Sequence, residues 1–109
     1  MTRFLKSALD MVTARDDSPE TLNDRERVMA LVALMGWTRN TQMCRTPNQD
    51  CYMHPTPREA GMVYVYVWFK RGTLTRAQRV VFLRGRIAGI EQLPHQPTLE
   101  QIESWLNQR

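Results

Sequence analysis

The part of this chain best suited to binding a ligand is a row of aromatic residues with cations beside it. Between Met62 and Lys70 every second residue is aromatic: Tyr64, Tyr66 and Trp68 form this row. Alternate residues of a strand face the same side, so the three rings should share one face. Such rings stack on unpaired bases, and nearby cations hold the phosphates. The pattern predicts a stacking platform for RNA or single-stranded DNA.

Cations are concentrated in the same segment. The formal net charge of the 109 residues is +4, whereas residues 60–90 contain six cations and no acid. The six are Lys70, Arg71, Arg76, Arg79, Arg84 and Arg86. This asymmetry favours an anionic partner, which is either nucleic acid or an acidic protein surface. The alternative for the cations is a solvated sheet face whose tips arginine keeps soluble. The alternative for the aromatic row is that a helix covers it, with Arg79 stacked on Tyr64.

A second group of residues has the chemistry of a metal site. Five soft or borderline ligands fall within 12 residues: Met43, Cys44, Cys51, Met53 and His54. Thiolate, thioether and imidazole suit Cu(I) or Zn(II), with Cys44, Cys51 and His54 as the candidate ligands. Their spacing is not that of a zinc finger, and buried Met and Cys commonly fill gaps in a core. We therefore expect no metal and no other cofactor.

Catalytic patterns are missing from the sequence. It has no His-x-x-x-His, no glycine-rich phosphate loop and no Gly-x-Ser-x-Gly. Both histidines, His54 and His95, stand beside prolines in segments without periodicity. Acids cluster near the start of a predicted helix, where they favour the helix dipole without any chemistry. We expect a binding protein rather than an enzyme.

The apolar periodicity predicts the elements that position these residues. Helical spacing predicts helices near residues 3–14, 20–35 and 98–107, the second starting at Ser18-Pro19 or, alternatively, at Asn23. A period of two predicts strands near 62–70, 77–84 and 86–92. The Arg84-Gly85 turn should pair Phe82 with Ile87 and Val81 with Ala88.

The segment between Trp37 and Pro57 has no helical period and several prolines. It is predicted as a long loop, or as a short hairpin that turns at Pro47-Asn48 and brings Cys44 opposite Cys51. In that register a disulfide could form, although reduction in the cytoplasm opposes it.

The predicted fold is a single α+β domain over residues 1–109. Two N-terminal helices precede a three-stranded antiparallel β-meander and a C-terminal helix. Helices must cover at least one sheet face, because three strands alone bury too little apolar surface. Trp105 should dock with Leu99 and Ile102 on the sheet or on the second helix.

This order of elements, with arginines on an antiparallel sheet, resembles the ribosome-dependent ribonuclease toxins of the RelE/ParE type. The resemblance covers the order of elements over residues 1–92; the family's leading strand is missing and no sequence motif matches. In that family, basic and aromatic sheet residues hold RNA, so the resemblance implies an RNA-cleaving enzyme as a minority alternative.

Composition gives the remaining expectations. No apolar run approaches the roughly 20 residues of a membrane span, and the first residues lack an apolar block of signal-peptide length. Two cysteines are too few for a disulfide framework. We expect a cytoplasmic protein without a membrane partner. Its favoured function is nucleic-acid binding, and the alternative is an adaptor or inhibitor of another protein.

Overall fold

A computed structural model describes residues 22–44, 46–56 and 61–108. Two α-helices and five strands are found there: α1 (Asp24–Leu34), β1 (Thr38–Arg39), β2 (Gln49–Thr56), β3 (Gly61–Lys70), β4 (Thr73–Leu83), β5 (Arg86–Gln92) and α2 (Leu99–Leu106). A short 3-10 turn, Thr41–Met43, lies between β1 and β2. Of these elements, neither helix is long and apolar enough to cross a membrane.

Helix α1 begins at the later of the two predicted starts. The Asn23 side chain accepts a hydrogen bond from the Glu26 amide, and the Glu26 side chain accepts one from the Asn23 amide. This capping box satisfies two amides at the start of the helix. Gly36, with a φ of 81°, ends it in the left-handed region. The predicted helix over residues 3–14 lies outside the described residues.

The sheet is a five-stranded antiparallel meander in the order β1-β2-β3-β4-β5. The predicted fold, two N-terminal helices followed by three strands, is therefore wrong. One described helix precedes the sheet, and two strands arise from the segment predicted as a loop or hairpin. Strand β2 escaped prediction because its first four residues are buried on both faces, which removes the alternation of apolar and polar residues.

The predicted hairpin at Pro47-Asn48 exists only as a turn, in which the Gln49 amide donates to the Thr46 carbonyl. Strand β2 pairs instead with β3 along its whole length and with β1 at its centre. Cys51 is thus paired with Tyr66, and both cysteines are free.

Two β-bulges shift the remaining registers. Phe82 pairs with Ile87 as predicted, but Val81 pairs with Gly89 rather than with Ala88. Strand β4 begins at Thr73, four residues before the predicted start at residue 77, and it contains a second bulge in its pairing with β3. Each bulge adds one residue to a strand and breaks the period of two on which the prediction depended.

Both helices pack on one face of the sheet, which we call the helix face. Alternation along β3 places its valines and Phe69 there, and these join residues of α1 and α2 in one buried cluster. Trp105 and Ile102 belong to this cluster, with Leu99 packed against it, so the predicted docking of the C-terminal helix is confirmed. The Trp37 indole nitrogen donates to the Leu106 carbonyl at 2.9 Å and fixes the end of α2.

Candidate nucleic-acid interface

The side chains that alternate with the core form the second face of the sheet, which we call the open face. Neither described helix packs on it; the 3-10 turn lies at one end. The strand registers arrange the open face in four cross-strand rows: Gln49–Trp68–Arg76, Cys51–Tyr66–Gln78–Gln92, Met53–Tyr64–Val80–Ile90 and Pro55–Met62–Phe82–Ile87. The predicted aromatic row thus runs down the middle of this face.

The three predicted aromatic side chains are half-buried and adjacent. Ring centroids of Tyr64 and Tyr66 are 6.3 Å apart with planes 17° from parallel. Tyr66 and Trp68 repeat that distance at 27°. Phe82 meets Tyr64 edge-on at 5.4 Å, which adds a fourth ring that sequence reasoning left out of the site. The face offers a continuous aromatic surface held in place by neighbouring strands.

Arg76 is the cation that joins this aromatic surface. It pairs with Trp68 across β3 and β4, and its guanidinium carbon lies 4.3 Å from the centre of that ring. A guanidinium over an indole face is a favourable cation–π contact. The exposed Arg76 side chain therefore presents a positive charge directly beside a stacking surface.

The open face changes character along its length. Toward Lys70 its rows carry Arg76, Gln78 and Gln92, which can form hydrogen bonds with base edges or phosphates, and the buried Gln49. Toward Gly61 the rows are apolar, and Ile87 and Ile90 keep 56% and 54% of their area exposed. A groove of about 370 Å³ crosses both regions and is lined from Gln49 and Trp68 to Ile87 and Ile90.

Arg79 lies on the helix face, so the basic segment is divided. Its guanidinium donates to Glu91 at 2.8 Å and to the Gln108 carbonyl at 3.2 Å, and it does not stack on Tyr64. Alternation places Arg79 opposite Val65, in the layer that faces the helices. Its charge is neutralised by a neighbour across the sheet.

The remaining cations lie at two hairpin tips. Lys70 and Arg71 are exposed at the β3–β4 turn, and Arg84 and Arg86 are exposed at the β4–β5 turn. Arg71 and Arg84 adopt left-handed φ values of 53° and 55°, each followed by a glycine in the same region, so both turns are tight two-residue connections. Because β4 separates the two turns, the tips mark opposite ends of the open face.

A buried ion cluster on the helix face escaped sequence prediction. The Asp50 carboxylate is fully buried and accepts two hydrogen bonds from Arg25, at 2.9 and 2.7 Å, and one from Arg39 at 2.9 Å. The Tyr52 hydroxyl donates to it at 3.3 Å. Burial alone would raise the pKa of Asp50, but Arg25 and then Arg39 outweigh it and hold that pKa below 3.8.

This cluster connects α1 to the sheet. Arg25 also lies 5.4 Å from the centre of the Phe69 ring, and its amide donates to the Gly72 carbonyl. Asp24 accepts a hydrogen bond from the Leu74 amide. Both carboxylate oxygens of Asp50 accept hydrogen bonds from within the chain, so the arrangement has the character of a structural junction rather than of a reactive group.

The candidate metal ligands are separated by the sheet. Cys51 is buried on the open face, whereas His54 lies on the helix face with its ring 5.4 Å from Trp37. The Cys44 thiol donates to the Asn40 carbonyl, and the Asn40 amide donates to the Met53 sulfur, both at 3.5 Å. Among the residues that the structure describes, no three His, Cys, Asp or Glu side chains form a metal site.

Burial raises the pKa of the Cys51 thiol to about 12, and the nearby Cys44 adds to the effect against an opposing hydrogen bond with Tyr66. A thiol with so high a pKa is a poor nucleophile at neutral pH. The histidines also stand apart from the aromatic row: the His54 ring contacts the Pro55 carbonyl, and His95 lines a separate cleft with Thr75 and Gln96.

The geometry thus combines aromatic stacking, one cation in contact with the stack, amide groups in neighbouring rows and charged tips at both ends.

Comparison with protein families, with curated proteins and with solved structures finds no match to this chain.

Proposed function

We propose that this chain is a non-enzymatic protein that binds single-stranded nucleic acid, with RNA or single-stranded DNA lying on the open face. The observation that supports the proposal is the row in which Arg76 lies over one face of Trp68, beside the Tyr66 and Tyr64 rings, on a sheet face without a described helix. Bases would stack on the exposed ring surfaces while Arg76 and the tips approach phosphates.

The dimensions of the aromatic row limit the footprint. Tyr64 and Trp68 are four residues apart in β3, which corresponds to roughly 13 Å at about 3.3 Å per residue. The row therefore has room for two or three stacked bases. Two glutamines of the neighbouring rows, Gln78 and Gln92, would supply donors and acceptors to base edges.

The division of the cations supplies a matched pair of variants. Arg76→Ala and Arg79→Ala remove the same charge from the same strand, but on opposite faces. Anisotropy of labelled single-stranded RNA and DNA, titrated across a salt series, should show weaker binding for Arg76→Ala and a log–log salt slope flatter by about 0.7, one phosphate contact. Arg79→Ala should leave the slope unchanged, provided that circular dichroism confirms its fold.

Trp68→Ala separates stacking from charge. Loss of one base–ring stack should weaken binding by about 1–3 kcal/mol with little change in the salt slope. If folded wild-type protein does not bind either nucleic acid at low salt, the proposal is wrong. Equal losses for Arg76→Ala and Arg79→Ala would contradict the assignment to the open face.

One observation favours the second candidate, a protein-binding adaptor or inhibitor. The apolar end of the open face exposes Ile87 and Ile90, and aliphatic side chains on a surface are more typical of protein contacts than of nucleic-acid contacts. An acidic partner would also use the cationic tips, which would mainly raise its association rate.

A further inference from the structure

Strand β5 is the exposed edge of the sheet. Within the described part of the chain it pairs with β4 alone, whereas the opposite edge is the two-residue strand β1. All residues of β5 except Gly89 are exposed, and the strand contains neither proline nor lysine. Natural sheets protect a long edge with proline, lysine or other charges, or a bulge, because its backbone groups can pair with another strand; β5 has only its bulge and the charges of Arg86 and Glu91.

The β5 bulge sets which backbone groups point outward. In a two-residue hairpin the residues that flank the turn, Leu83 and Arg86, form a hydrogen-bonded pair. Such pairs alternate along the strands with non-hydrogen-bonded pairs. Ile87 and Phe82 therefore form a non-hydrogen-bonded pair, in which the amide and carbonyl of Ile87 face away from β4. Beyond the bulge the same holds for Ile90, opposite Val80.

The bulge gives this edge an unusual spacing. Outward-facing residues of a regular strand are two apart, but Ile87 and Ile90 are three apart because Ala88 and Gly89 both lie opposite Val81. Because the bulge places two residues opposite one, Ile87 and Ile90 span about the length of two residues of a regular strand, as their pairing with Phe82 and Val80 shows. A second β5 running in the opposite direction presents two outward-facing isoleucines at the same separation.

We propose that β5 is a self-association edge and that its occupant is the β5 strand of a second copy of this chain, paired antiparallel. The two-fold axis would pass between Ala88 and Gly89. In this register Ile87 faces Ile90 of the partner subunit.

The same register matches charge and size. Arg86 faces Glu91 of the partner subunit, so each dimer gains two opposite-charge cross-strand pairs. Ala88 faces Gly89 of the partner subunit at the centre, where bulk would keep the strands apart, and a side-chain atom added at Gly89 would meet nothing within 4 Å. Apolar contact and charge thus favour the same register.

The two exposed isoleucines come from the apolar end of the open face, so pairing would cover part of it. The sheets would join into one, with the two aromatic rows on its same side. Six residues from each copy make a small interface, and we expect a dissociation constant in the micromolar range. This inference does not depend on the proposed nucleic-acid binding, which can be measured at protein concentrations where the chain is monomeric.

Sedimentation velocity over about 5–300 µM protein tests the proposal, with wild type, Arg86→Glu and Glu91→Lys. Either variant places like charges opposite each other twice and should weaken association by about tenfold. An equimolar mixture of the two should recover wild-type association, because every pair in the mixed dimer again joins opposite charges. Arg71→Glu makes the same charge change at the other hairpin tip and should associate like wild type.

Glu91→Lys also faces Arg79, so its fold is checked by circular dichroism. If it does not fold, Glu91→Gln replaces it. Its mixture with Arg86→Glu restores one opposite-charge pair and makes the other neutral, and should recover about three quarters of the association lost by Arg86→Glu on a logarithmic scale. A wild type that remains monomeric throughout overturns the proposal. So does association by Arg86→Glu equal to that of wild type, or a mixture of folded variants that recovers none of it.

Discussion

Asp50→Asn tests whether the buried ion cluster holds α1 on the sheet. The substitution keeps the shape of the side chain but removes its charge and replaces one acceptor oxygen with an amide that donates. Arg25 and Arg39 then share a single acceptor, and one guanidinium hydrogen bond has no partner. The Tyr52 hydroxyl loses the carboxylate oxygen to which it donates.

The expected cost is smaller than for a fully buried pair. Breaking such a pair costs about 3–5 kcal/mol. Here the side chains of Arg25 and Arg39 keep 26% and 41% of their area exposed, so water replaces part of what they lose. We expect a loss of about 2–3 kcal/mol in the free energy of unfolding, and a melting temperature lower by roughly 10 °C for a chain of this size.

The pH dependence of this loss identifies its cause. The pKa of Asp50 is lowered in the folded state, so its contribution to stability is complete above the unfolded pKa of about 3.9 and disappears as the pH falls through the folded value. The difference between wild type and Asp50→Asn should therefore be constant from pH 7 to about 5 and should shrink below pH 4.

Urea unfolding of both proteins at each pH measures that difference. Glu91→Gln is the control. The Glu91 carboxylate that pairs with Arg79 is largely exposed, so this ion pair should contribute less than about 1 kcal/mol to the free energy of unfolding. A loss below about 0.5 kcal/mol for Asp50→Asn at pH 7, or a loss that does not depend on pH, would refute the assigned role.

Three further perturbations have outcomes set by the packing. Trp105→Ala should lower the free energy of unfolding by about 3–5 kcal/mol in chemical denaturation, since the indole is buried in the core; an unchanged melting temperature would mean that α2 is dispensable. Gly72→Ala should lower the free energy of unfolding more than Gly85→Ala does. Both glycines have φ near +80°, but only at Gly72 would the added carbon lie 2.5 Å from the side chain of Asn23, which caps α1. Equal losses for the two variants would contradict this contact. Alkylation of the native protein at pH 8, followed by peptide mass spectrometry, should modify Cys44 and spare Cys51, whose thiol is buried and has a pKa raised to about 12; equal labelling would show that the strand opens.

Local signals in the sequence identified the elements whose residues follow one simple period. The eight-residue alternation from Met62 to Phe69 assigned both faces of β3, and the stripe ending at Leu106 identified α2. Capping chemistry at Asn23 marked one helix start, although it was one of two alternatives. Where burial is one-sided, as in these segments, a period is visible without a structure.

Elements governed by long-range contacts could not be found in that way. Strand β1 has two residues, too few to show any period, and it exists because β2 lies beside it. Strand β2 is covered on both faces at its start, so its sequence does not alternate. Arg25 and Asp50 are 25 positions apart, and nothing local connects a helical arginine with an aspartate in a proline-rich segment.

The candidate site shows the same limit for charge. Six cations in 31 residues predicted one basic surface, but a meander folds neighbouring residues onto opposite faces and carries turn residues to opposite ends. Arg76 and Arg79 are three positions apart, yet one stacks on Trp68 and the other is neutralised by Glu91. What sequence alone supports is the total charge; its arrangement depends on register and bulges. The open face is consequently less a basic surface than an aromatic one with cations at its ends, which favours a ligand that offers flat rings along its middle and negative charge along its length.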